Sequence, residues 1–241
     1  MEGENQIVPE HEEKFRKIEA TLTILSKRLD NEKVNYYIIG SLARNIYMGD
    51  DPQSPEIDLV IPNPNDQDKM AQIISDEIQP AHPDIYIDTS LSDYIQETDG
   101  EYILTYGNIE HKVDSELMEP QELIFQSAKF KSFAPPTLLH AYTFVGGPFR
   151  SKDWTSALTF ARWMRKENIE YDHDKFSGFH KFGKEKWNNS PLRKSQHAWR
   201  KFVNDLPKDF RDKLLDVYKL PIAKQARRLF NQVEEMTCGT N

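Results

Sequence analysis

The sequence has 241 residues, of which 38% are hydrophobic and 29% charged, and a formal net charge of −8. That length suits one large domain or two small ones, and the composition suits a globular protein with no apolar run long enough to cross a bilayer. The acidic balance repels nucleic-acid backbones and disfavours generic binding to long duplexes.

The first residues, Met1-Glu-Gly-Glu-Asn, are acidic and polar, the opposite of a secretory leader, so the predicted location is cytoplasmic with no membrane partner. Cys238 is the only cysteine, which leaves no partner for an intrachain disulfide and no thiolate metal cluster.

Taken in order, Phe15, Ile18, Leu22, Leu25 and Leu29 recur at steps of three and four, which predicts an amphipathic helix over 11–31. Val34-Asn-Tyr-Tyr-Ile-Ile is a β-rich run that ends at Gly40-Ser41, after which Leu42, Ala43, Ile46 and Tyr47 resume helical spacing. Residues 49–55 are a loop by their turn chemistry, and Glu56-Ile-Asp-Leu-Val-Ile is a strand stopped by Pro62. Strand alternation turns Glu56 and Asp58 to one face and Ile57, Leu59 and Ile61 to the other. A helix over 66–78 and a strand over 84–89 follow, then a hairpin in which Gly107-Asn108 joins strands at 102–106 and 109–114. From Pro120 the pattern reads as helices: Gln121 to Phe130, Pro136 to Phe144, Lys152 to Glu167, and several after Ser190. The predicted domains are therefore 1–120, an α/β unit, and 121–241, a helical region.

Phosphoryl and nucleotidyl transfer need donors that hold a polyphosphate and carboxylates that hold divalent metal. A strand that turns through Gly40-Ser41 into a helix offers backbone N–H groups and a hydroxyl at the positive helix end. Glu56 and Asp58, projecting from one strand face, can share a hard cation. Arg44, one turn into the helix, is placed to reach a triphosphate or an acid. His111 is predicted on the apolar side of its strand, and no second histidine has ligand spacing, so zinc is not expected. Trp154, Phe160 and Trp163 read as one packed helix face.

Ile39-Gly-Ser-Leu-Ala-Arg followed by Pro55-Glu-Ile-Asp-Leu-Val resembles the signature of the polymerase-beta-type nucleotidyltransferase superfamily, an apolar-Gly-Ser turn and then an acid-x-acid strand. Lys112-Val-Asp-Ser is similar to the later strand that carries the family's third carboxylate; the resemblance implies Asp114, with Glu110 as the alternative on the same strand parity. Leu138-Leu-His-Ala and Phe149-Arg150-Ser-Lys152-Asp153 look like the leucine-rich helix and Arg-x-Lys-Asp segment of small antibiotic-modifying and toxin-type members. Three positions depart from the pattern: Glu56 stands where an aspartate is usual, Thr143 where a lysine is frequent, and Ser156 where an acid is.

The resemblance implies an α+β fold, a small mixed β-sheet with flanking helices followed by a C-terminal helical region. It implies a metal-dependent transfer of a nucleoside monophosphate from a nucleoside triphosphate to a hydroxyl of a small molecule or protein, with release of pyrophosphate. Glu56, Asp58 and Asp114 would be the catalytic metal ligands for Mg2+, or alternatively Mn2+. Gly40, Ser41, Arg44 and Lys152 would contact the nucleotide. The rival readings are a catalytically inactive nucleotide-binding or structural module of the same fold, and an RNA-end transferase using the basic, aromatic segment Lys181 to Lys201.

Overall fold

The structure is a computed structural model that describes residues 10–52, 54–146 and 151–189. Helix α1 spans Glu10–Asn31, strand β1 Tyr37–Ile39, α2 Gly40–Met48 and β2 Glu56–Val60. Helix α3 (Gln67–Ile73) runs through a π-helical turn, Ile74–Ile78, into the short α4 (Gln79–Ala81), and β3 is Tyr86–Asp88. Strands β4 (Ile95–Thr98), β5 (Glu101–Tyr106) and β6 (Ile109–Val113) precede β7 (Gln121–Phe125) and β8 (Ala128–Ser132). Helix α5 (Pro135–His140) continues into a π-helical turn, Ala141–Gly146, and is followed by α6 (Ser151–Lys166) and α7 (Ser177–Asn189). The class is α+β, with small sheets and several helices, as the sequence predicts.

The chain divides into two compact units, but not at one point near residue 120. Among the described residues, one holds those up to Thr89 together with Pro120–Ser132, and the other holds Ser90–Glu119 and those from Phe133 to Asn189. The reason is the segment predicted as a helix over 121–130, which is instead the antiparallel hairpin β7–β8. Leu123, Phe125, Ala128, Phe130 and Ser132 are buried while Glu122, Ile124 and Lys129 are exposed, a period of two that suits a strand with one covered face. The hairpin packs on α1 and β1, which draws it into the first unit. Glu19 of α1 fastens its turn by accepting hydrogen bonds from the Ser127 N–H, at 3.0 Å, and from the Ser127 hydroxyl.

In the first unit β2 is the middle strand, antiparallel to β1 and parallel to β3. The parallel step needs a crossover, and α3 and the turns after it supply it. The predicted stripe on α1 is the core: Ile18, Leu22, Leu25 and Leu29 are buried with Tyr36, Tyr37, Ile38, Ile57 and Leu59. Apolar burial of this kind stabilises each side chain by about 1.5–3 kcal/mol.

In the second unit β4, β5 and β6 form an antiparallel meander. The hairpin through Gly107-Asn108 is present as predicted, and β4 adds a strand that the sequence pattern did not disclose. Helix α7 lies on β5 and β6 at a close approach fixed by Gly178, where an added Cβ would stand 2.3 Å from the Lys112 carbonyl oxygen. Phe144, Phe160, Phe176, Phe179 and Phe182 fill the core of this unit. Phe160 stacks on Trp163, with ring centroids 5.1 Å apart, which accords with a packed face on α6; the Trp154 side chain lies outside the described residues. His111 is partly buried, with Nε2 3.1 Å from a carboxylate oxygen of Glu185. The helices predicted after Ser190, most of the basic segment to Lys201, and Cys238 lie outside the described residues. No helix among the described residues is long and apolar enough to cross a membrane.

Candidate metal and nucleotide site

The site begins with the register of two parallel strands. Glu56 pairs with Tyr86, and Asp58 pairs with Asp88, so Glu56, Asp58, Tyr86 and Asp88 share one face of the sheet. Ile57 and Leu59 are fully buried on the opposite face and hold that orientation. A one-residue slip would bury the carboxylates, so the apolar residues fix the site's geometry. Glu56, Asp58 and Asp88 each offer a carboxylate oxygen, and these oxygens all lie within 4.8 Å of one another; all three residues are half-buried.

Carboxylates confined so closely repel one another. An oxygen-only donor set of three acids suits a hard divalent cation such as Mg2+ or Mn2+ and does not suit zinc with nitrogen or sulfur ligands. The residues present therefore fit the metal that the sequence resemblance implies.

Gly40 supplies the second wall. It follows β1, opens α2, and adopts a φ of +70°, which side chains disfavour. Ile39 pairs with Asp58 across the β1–β2 ladder, which brings the Asp58 carboxylate against the glycine. A Cβ on Gly40 would stand 1.6 Å from Asp58 Oδ2, so the position admits only glycine while that carboxylate keeps its place. The positive end of α2, nine residues long, is thereby set beside the carboxylates, with half-buried Ser41 in its first turn.

Of the remaining sequence candidates, Arg44 lies in the first unit, and Asp114, Glu110 and Lys152 lie in the second. Asp114 follows β6 in the second unit and caps a short 3-10 turn, Ser115–Met118, where its Oδ1 accepts the Glu116 N–H at 3.0 Å. Glu110 is exposed on β6. Arg44 donates from Nε and Nη2 to Asn45 Oδ1, at 3.1 and 2.7 Å, and Asn45 in turn donates to the Asp51 carbonyl at 3.1 Å. These bonds tie the guanidinium to the loop that leads into β2. Lys152 and Asp153 stand in the first turn of α6, with side chains outside the described residues, as is all of Arg150. Thr143 is buried and donates to the Leu139 carbonyl at 2.9 Å, a packed position rather than a site for a charge.

Asp88 is the member of this carboxylate cluster that the sequence reading did not name. The signal that could have found it is the parity of Asp84-Ile-Tyr-Ile-Asp, combined with the rule that strands close in sequence often pair. Within the first unit, the acid beside the first two is then carried by the next strand.

No family model matches the chain, and no curated protein does. Among solved structures the chain is similar to an antigenic nucleotidyltransferase-like protein from Paracoccidioides brasiliensis, at 15% identity and a TM-score of 0.39, over 79% of this chain and 94% of that one. What the site can do follows from its own carboxylates rather than from that likeness.

Proposed function

We propose that the protein is a metal-dependent nucleotidyltransferase, which transfers a nucleoside monophosphate from a triphosphate to a hydroxyl of a small molecule or protein. The observation that carries this reading is the convergence of Glu56, Asp58 and Asp88 beside the Gly40 turn. Glu56, Asp58 and Asp88 would hold Mg2+ or Mn2+, and Asp88 takes the third place that the sequence resemblance gave to Asp114. Bound cations supply the positive charge that neutralises a triphosphate and favours attack at its α-phosphorus. The N–H groups that open α2 and the Ser41 hydroxyl would donate hydrogen bonds to the outer phosphates, as helix N-termini do. An acceptor hydroxyl gives up its proton to solvent and forms the new ester bond to the α-phosphorus, the bond from that phosphorus to the oxygen bridging to the β-phosphate breaks, and pyrophosphate leaves with that oxygen and its electron pair.

Pyrophosphate release with each of the four ribonucleoside triphosphates, under Mg2+ and then Mn2+ with a cell extract as acceptor, tests this. Release that Asp58→Asn abolishes supports the enzyme. Triphosphate binding without release from any nucleotide would instead favour a non-catalytic binding module, with the longer Glu56 side chain as its cause.

A further inference from the structure

We infer that Tyr86 is the stacking platform for the nucleobase of the bound triphosphate, an inference that rests on the nucleotidyl-transfer reading above. Tyr86 is 62% exposed although it lies within a strand, and it shares the sheet face of the carboxylates. A ring on a strand is normally covered by its cross-strand neighbour. Here that neighbour is Glu56, whose carboxylate turns toward Asp58 and Asp88 and leaves the ring uncovered.

The backbone of Tyr86 is fixed, with its N–H donating to the Pro55 carbonyl at 3.1 Å, so the ring stands on a rigid base. Tyr86 lies two residues before Asp88, roughly 7 Å along the strand, a separation that a ribose spans between an α-phosphate and its base. The carboxylates would hold the cation that binds the phosphates, and the exposed ring offers a face on which a flat base can stack. Stacking tolerates any base, so this platform contributes affinity and not base choice.

The test is equilibrium binding in the presence of Mn2+ of two probes to the full chain: α,β-methylene ATP, and inorganic tripolyphosphate, which has no base. Tyr86→Ala is expected to weaken the nucleotide analogue roughly tenfold and to leave tripolyphosphate unchanged. Tyr86→Phe keeps the ring and is expected to bind the analogue within about twofold of the wild type. Asp58→Asn should weaken both probes. Equal weakening of both probes by Tyr86→Ala, or loss of the analogue in Tyr86→Phe, would overturn the platform, because the hydroxyl would then act on phosphate or metal. Unchanged analogue binding in Tyr86→Ala would overturn it while leaving nucleotidyl transfer intact. Failure of the wild type to bind either probe would overturn nucleotidyl transfer and the platform with it. Circular dichroism confirms the fold of each variant, which the exposure of residue 86 makes insensitive to truncation.

Discussion

Asp58 Oδ2 occupies the space that a Cβ on Gly40 would take, 1.6 Å from its ideal position. Gly40→Ala therefore meets two costs: a positive φ of +70° and a collision with a carboxylate oxygen of the candidate metal site. We predict a loss of about 1–3 kcal/mol in stability and a fall of at least about tenfold in Mn2+ affinity, since the carboxylate must leave its place. Gly49→Ala is the control, with a φ of +73° and nothing within 4 Å of the added Cβ. It should show the backbone cost alone, with Mn2+ binding intact; denaturation and calorimetry measure the two effects.

Asp88 and Asp114 separate the third carboxylate proposed above from the one the sequence resemblance implied. Asp88→Asn should lower Mn2+ affinity by about tenfold or more while the fold is kept, because an amide replaces a charged oxygen donor. Asp114→Ala should leave Mn2+ binding unchanged and lower stability by about 1 kcal/mol through loss of the cap on the Glu116 N–H. The opposite pattern in a metal titration would restore Asp114 to the site.

The first three strands and α2 were legible because each carries a strong local signal. Apolar residues on α1 repeat with helical spacing, Gly40 marks a turn, and Glu56 and Asp58 alternate against Ile57 and Leu59. The β7–β8 hairpin was misread because its turn, Gln126-Ser127, lacks the usual Gly or Asn. Gln126 adopts a positive φ of 55° all the same, and Glu19, distant in sequence, holds the turn. Strand β4 was missed because Ile95-Gln-Glu-Thr offers one large apolar residue; the Asp99-Gly100 turn after it, with both residues at positive φ, was its available signal. Asp88 needed a pairing step beyond its own segment, because a carboxylate's partner depends on which strands pair, and the parallel β2–β3 register is a tertiary fact.

Lys186 should be a stabilising cation in the second unit. It is 4% exposed; its ammonium donates to the Val145 carbonyl and stands 4.1 Å from the Tyr94 ring centroid and 5.3 Å from that of Tyr106. Burial raises the Tyr94 phenol's pKa, which keeps that ring neutral beside the cation. Lys186→Ala is predicted to cost about 2–4 kcal/mol through the lost ring contacts, the unsatisfied carbonyl and the cavity. Lys186→Met fills the space without the donor and should recover part of that loss. A Lys186→Ala variant as stable as the wild type in urea denaturation would show that this contact contributes nothing net.

Glu19 gives the hairpin fastening a pH dependence. Hydrogen bonds from the Ser127 hydroxyl first, and then from its N–H, lower the Glu19 pKa from an ordinary value of 4.5. A carboxylate with a lowered folded-state pKa contributes stability that is present above its unfolded value and is lost as pH falls through the folded one. The stability difference between wild type and Glu19→Gln should thus be constant above about pH 6 and shrink progressively below about pH 5. Because the pair is largely exposed, the plateau should be on the order of 1 kcal/mol. Ser127→Ala should give the same pH profile at smaller amplitude, since the N–H donor remains. A difference that instead grew on acidification would mean that Glu19 is held in its protonated form, contrary to the two donors that face it.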